Sequence, residues 1–158
     1  MTKICYLDFD GCLHDNQVFC TQGVGIHIRT PGRTMFEWMH ILEELLIPFP
    51  DVKIVFSTSW VASQNFEFAR AQLSPDLQKR VIGSTYTAEN MKYFDAWSRG
   101  RQVTSDVAAR KPTNWFAIDD DGDGWPADCK ARLIKTDGSI GISDTNVQRA
   151  IRRMLISL

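Results

Sequence analysis

Two aspartates two residues apart, Asp8 and Asp10, close an apolar run in Ile4-Cys5-Tyr6-Leu7-Asp8-Phe9-Asp10-Gly11-Cys12-Leu13. An extended chain alternates its side chains between two faces, so both carboxylates can face the crevice beyond a strand's carboxyl end while Phe9 turns into a core. Gly11 then permits a tight exit. Taken alone, the segment also reads as an acidic turn, because Asp and Gly are common turn residues. Two later segments shift the balance toward chemistry. Ile54-Val55-Phe56 runs into Ser57-Thr58-Ser59-Trp60, and Trp115-Phe116-Ala117-Ile118 runs into Asp119-Asp120-Asp121. If these strands are neighbours, a hydroxyl able to donate to a phosphoryl oxygen stands beside acids from two strands, although each hydroxyl could equally cap the helix that follows it. Converging carboxylates repel one another unless a cation sits among them, which points to a hard, oxygen-liganded ion such as Mg²⁺.

The elements that must position these groups follow from periodicity. Short apolar runs alternate with segments of helical period, the pattern of an α/β domain. Candidate strands are Lys3 to Asp8, Lys53 to Ser57, Arg80 to Ser84, Trp115 to Asp119 and Arg132 to Thr136; several are apolar on both parities, as buried parallel strands are. Thr34 with Glu37 forms a capping-box pattern ahead of Met35, Trp38, Met39, Leu42 and Leu45, which predicts a helix opening at Thr34. Further helices are predicted over Asn65 to Leu73, around Met91, Phe94 and Trp97, over Gln102 to Arg110 ahead of Pro112, and after Ser143 or Asp144. The stretch 15–32 carries β-prone pieces, Gln17 to Cys20 and Gly25 to Arg29, and reads as a hairpin-like flap. The expectation is one domain over residues 1–158: a three-layer, Rossmann-like sandwich with a five-stranded, mainly parallel sheet, a minimal flap and no separate cap domain.

Composition narrows the function classes. The chain has 158 residues, 44% of them hydrophobic, with 18 Lys+Arg against 19 Asp+Glu for a formal charge of -1. A balance near zero gives no overall positive field of the kind a general nucleic-acid binder carries, while leaving room for a local basic patch. No run approaches the roughly 18 apolar residues of a membrane span, and Met1 leads into a strand without a signal-like region, so the expected setting is the cytoplasm. Cys12, His14, Cys20 and His27 lack zinc-site spacing. Asp119, Asp121 and Asp123 mimic a calcium loop, but Pro126 falls inside it and Lys130 stands where its closing Glu belongs.

The segments LDFDGCL, VFSTSW, FAIDDD and TDGSIGISDTNVQRAI together resemble the haloacid dehalogenase (HAD) superfamily, most closely its small, minimally capped members such as the domain found in Swiss Army knife RNA-repair proteins. That resemblance implies a phosphomonoester hydrolase in which Asp8 attacks phosphorus to form an aspartyl-phosphate. Asp10 would protonate the leaving oxygen and then activate water. It implies Mg²⁺ held by Asp8, the backbone carbonyl of Asp10 and an acid of the Asp119-Asp120 pair, with Asp120 preferred. The phosphoryl group would be bound by the hydroxyl of Thr58, or by Ser57, near Gly11. The family also places a basic residue ahead of the helix before the fourth strand. Arg101 begins that helix as read from the sequence, with Arg99 and Lys92 as the next candidates and Lys111 expected at the far end; an Arg there would replace the family's more usual Lys with a planar, bidentate donor.

The implied partner is a phosphorylated substrate, a small ester or a nucleic-acid end, at an open site that Trp60, Arg29 and Arg33 could border. Two readings compete: a catalytically silent binding module, which would be expected to lose Asp8 or Asp10, and a receiver-like phosphoacceptor domain, which would carry its acid after the third strand, where Ser84-Thr85 stands. Oligomeric state is not legible.

Overall fold

A computed structural model describes residues 2–158. In chain order the elements are β1 (Lys3–Leu7), β2 (Val18–Thr21), β3 (Gly25–Ile28), α1 (Met39–Leu46), β4 (Val52–Phe56), α2 (Trp60–Ser63), α3 (Phe66–Ala71), α4 (Pro75–Gln78), β5 (Val81–Ser84), α5 (Met91–Phe94), α6 (Arg99–Arg110), β6 (Asn114–Asp119), β7 (Leu133–Lys135) and α7 (Thr145–Ser157). Five strands form one sheet in the order β5-β4-β1-β6-β7, all parallel. The strand order reverses at β1, where an open parallel sheet forms its binding crevice.

Both faces of the sheet are covered, which explains the apolar residues on both strand parities. Cys5, Leu7, Ile54, Phe56, Phe116 and Ile118 pack with Leu42 and Leu46 of α1 and with Val147, Ile151 and Leu155 of α7. Ile4, Tyr6, Val55 and Ala117 face the other way, against Val103 of α6 and Trp125. The result is the three-layer α/β architecture expected from the sequence.

Between β1 and α1, β2 and β3 pair antiparallel as a separate two-stranded hairpin. Its base is tied by Asp15, whose Oδ1 accepts from Gln17 N at 2.7 Å and Thr30 Oγ1 at 3.0 Å.

Helix starts differ from expectation in two places. The first helix does not open at Thr34: Phe36 adopts a left-handed φ of 56° and Trp38 N donates to Leu13 O at 3.0 Å, so tertiary pinning of this loop overrides the capping box and α1 begins at Met39. The helix before β6 starts earlier than Gln102. Ser98 Oγ accepts from Arg101 N, and Arg99, Gly100 and Arg101 form its first turn. Gly100 is required there because a Cβ would lie 2.4 Å from Gly124 O.

Candidate active site

The register of the strands builds the site. Leu7 pairs with Phe56 and with Ile118, and Phe56 pairs with Ser84, so the next residues, Thr85, Ser57, Asp8 and Asp119, form a row along the carboxyl edge. Their parity is that of Tyr6, Val55 and Ala117, which leans the row toward the α6 layer. The first residue of α6, Arg99, completes it from that side. Its Nη2 stands 3.7 Å from Asp8 Oδ2 and its Nε 3.3 Å from Asp119 Oδ2.

Three carboxylates meet here: oxygens of Asp8, Asp119 and Asp120 lie within 4.8 Å of one another. Asp8 is 4% exposed and Asp119 fully buried. Burial, and then the charges of Asp10 and Asp120, push the Asp8 carboxyl up to about 6 against the opposing pull of Arg99. Burial and the Asp8 charge raise Asp119 well above the usual carboxylate range, and burial also raises Asp120, with a hydrogen bond from Asn16 opposing. One guanidinium therefore faces three acids that are costly to ionise together. Of the six buried side-chain N and O atoms without a hydrogen-bond partner among the described residues, four belong to this edge: Ser57 Oγ, Thr85 Oγ1, Arg99 Nη1 and Asp119 Oδ2. The Asp119 oxygen is ion-paired with Arg99 but not aligned for a hydrogen bond. Buried polar atoms are seldom left unpaired, and this concentration of donors beside acceptors fits a pocket that takes a hard cation and an anionic group together.

Gly11 turns the chain with a φ of 75°, and a Cβ at this position would lie 2.2 Å from Asp120 Oδ2. The Asp120 carboxylate thus lies against the backbone of the loop that carries Asp8 and Asp10. A Cβ on Gly138 would meet the same oxygen at 2.9 Å.

The structure brings Asp8, Asp119, Asp120, Ser57 and Gly11 to this edge; the side chains of Asp10, Thr58 and Arg101 make other contacts. The Asp10 carboxylate is not part of the three-acid cluster; its Oδ1 accepts from His14 Nε2 at 2.8 Å and from Trp60 Nε1 at 2.9 Å. Thr58 Oγ1 accepts from Trp60 N at 3.3 Å, a local turn bond, whereas Ser57 shares the row with Asp8 and its hydroxyl is unpartnered. The expectation for Arg101 is corrected by geometry. Because α6 opens one turn early, Arg101 is exposed with its guanidinium 4.3 Å from the Trp97 ring centroid, and Arg99 takes the place beside Asp8. Lys92 lies over Tyr93, and Lys111 caps the far end of α6 in the left-handed region.

Sequence reasoning weighed His14 only as a zinc ligand, passed over Asn16, and treated Trp60 as packing or a substrate border. No local signal marks the first two, since each acquires its partner only through the fold. The cysteine and histidine set is dispersed: Cys12 Sγ contacts Thr136 Oγ1, His14 meets Asp10 and His27 meets Gly25 O. Asp121 and Asp119 accept backbone N–H groups within the acidic turn, from Asp123 and Asp121 respectively.

A family model described as the HAD domain in Swiss Army Knife RNA repair proteins matches residues 4–147. The chain belongs to this family. No curated protein and no solved structure matches. The match takes in all four strand ends that form the row, and membership of this family points to a phosphatase-type hydrolase superfamily. No helix among its described residues is long and apolar enough to cross a membrane.

Proposed function

We propose that this HAD domain is an Mg²⁺-dependent phosphomonoester hydrolase that works through an aspartyl-phosphate on Asp8 and acts on phosphorylated nucleic-acid ends. The observation that carries the reading is the placement of Asp8, buried in one row with Ser57 and Asp119 and ion-paired with Arg99. The family's occurrence in RNA repair proteins supports the substrate class.

Asp8, Asp119 and Asp120 would hold the cation, which when bound offsets charge on the phosphoryl oxygens and on the acids themselves. Arg99 Nη1 and Ser57 Oγ, both buried donors with no hydrogen-bond partner among the described residues, would take the non-bridging phosphoryl oxygens. Asp8 attacks phosphorus; the phosphorus–oxygen bond to the leaving group breaks as a proton passes from Asp10 to that oxygen. Asp10, now a carboxylate, takes a proton from water as the water oxygen bonds to phosphorus and the bond to Asp8 breaks. Inorganic phosphate leaves and both acids return to their starting states.

Hydrolysis of an aryl phosphate with and without Mg²⁺ tests the reading. Turnover should require the metal and fall by at least about 10³-fold in Asp8→Asn, the scale of loss when a covalent nucleophile is removed. Unchanged turnover in that variant refutes it. A panel of 3′- and 5′-phosphorylated oligonucleotides, nucleotides and sugar phosphates then tests the substrate class, and a highest kcat/KM on a sugar phosphate would overturn the nucleic-acid assignment.

A further inference from the structure

Asp10 is bound by two N–H groups on the same oxygen, Oδ1, while no group of the described residues is hydrogen-bonded to its Oδ2. The proton on His14 can be placed from its neighbours. Phe36 N donates to His14 Nδ1 at 3.2 Å, so Nδ1 offers a lone pair and the hydrogen is on Nε2, which donates to Asp10. His14 is fully buried, edge-on to Phe36 with ring centroids 4.7 Å apart, and 5.9 Å from the Trp60 ring. Phe36, the residue that fixes this tautomer, is the one held at a φ of 56°. That conformation is unfavourable for an L-residue, and such strain persists where the surrounding structure over-determines it.

We propose that His14 and Trp60 are positioning residues for proton transfer by Asp10. By occupying both lone pairs of Oδ1 they leave Oδ2 as the oxygen that carries the acid proton to the leaving group and later accepts one from water. The proposal rests on the phosphohydrolase reading, with Asp10 as acid and base.

A buried histidine bonded to a carboxylate is commonly a satisfied core residue, and two features separate this one from that case. Its acceptor is not a core acid: the Asp10 side chain is 31% exposed. Asp10 also lines a cleft of about 130 Å³ between the hairpin and α2, with Val18, Phe19, Ile26, Trp60 and Gln64. The two donors thus hold one oxygen of a side chain that borders open space, where a leaving group would be received. With Trp60 only 4% exposed, the indole is itself clamped, by edge contacts with Phe9 and Phe36 and a stacked contact with Phe68.

The experiment is a leaving-group series. Metal-dependent kcat/KM is measured for 2,4-dinitrophenyl, phenyl and alkyl phosphates in the parent, His14→Phe, His14→Gln and Trp60→Phe, with thermal melts to establish folding. A good leaving group departs without a proton and a poor one does not, so impaired proton delivery steepens the dependence on leaving group. His14→Phe and Trp60→Phe should stay within about threefold of the parent on the dinitrophenyl ester and fall about 10- to 100-fold on the alkyl ester, a part of the roughly 10²- to 10⁴-fold that general acid catalysis supplies. His14→Gln, whose amide can donate to Asp10 and accept from Phe36, should recover most of that loss. A uniform loss across the series, or none, in folded variants overturns the proposal. If His14→Phe does not fold, Trp60→Phe carries the test, since it removes the second donor and keeps an aromatic ring. Metal-dependent turnover that persists unchanged in Asp8→Asn, run beside the series, would instead refute the phosphohydrolase reading.

Discussion

Arg99 Nε stands 3.3 Å from Asp119 Oδ2 without donating a hydrogen bond to it. The guanidinium is placed for charge and not saturated by it, because Asp8 draws on the same group from 3.7 Å. Replacing Arg99 by Gln removes the only basic side chain among the described residues that is paired with these acids. The metal-free protein should lose about 3 kcal/mol, the cost of stranding buried charge, and kcat/KM should fall by about 10²-fold or more. Chemical denaturation with and without Mg²⁺ checks the first figure, and the deficit should shrink when the cation is present.

Asp119→Asn should act in the opposite sense on stability. The amide keeps an oxygen for Asp121 N, while one of three crowded acids is neutralised. The metal-free variant is expected to be about 1 kcal/mol more stable than the parent, as active-site substitutions that relieve electrostatic strain often are. In the parent, Mg²⁺ at 100 times its dissociation constant should add about 2.7 kcal/mol. A melting series in Mg²⁺ should show that gain largely absent from the variant.

Ser57 and Thr58 are adjacent hydroxyls with opposite expected phenotypes. Ser57→Ala removes a buried hydroxyl with no protein partner, so folding stability should change by less than about 0.5 kcal/mol while kcat/KM drops about 10²-fold. Thr58→Ala removes the acceptor for Trp60 N and should cost about 1 kcal/mol with kcat/KM within about threefold of the parent. Paired melts and kinetics decide between the two residues.

Gly11→Ala tests the support beneath Asp120. The left-handed backbone alone costs about 1–2 kcal/mol, and crowding against the carboxylate adds a similar amount, for a loss of about 2–4 kcal/mol. Calorimetric titration should show weaker Mg²⁺ binding in whatever fraction folds, because the added methyl displaces a ligand oxygen.

Much of this was legible from residue order. Strands apolar on both parities gave the buried parallel sheet, and acids at the ends of β1 and β6 gave the row that contains Asp8 and Asp119. What escaped was set by contacts distant in sequence. The helix read from Gln102 starts at Arg99, with Gly100 packed closely on Gly124, and that early start moves Arg101 outward and Arg99 inward. Thr34 and Glu37 satisfied a local capping rule that a backbone bond from Trp38 to Leu13 overrides. His14 carried no signal beyond the discarded zinc set, since its spacing from Asp10 acquires meaning only once Trp60 and Phe36 close around both.

The contact of Gly100 with Gly124, reinforced by Gly100 N donating to Asp123 O at 3.0 Å, has a mechanical consequence. It rivets the first turn of α6 to the loop after β6, so the counter-charge and two of the three clustered acids ride on one rigid block. Breathing that withdraws the guanidinium must drag the acidic turn with it. Amide protons around residues 99–103 and 119–125 should accordingly exchange with deuterium in step, so that the pocket opens as a unit and never bares its negative charge piecemeal.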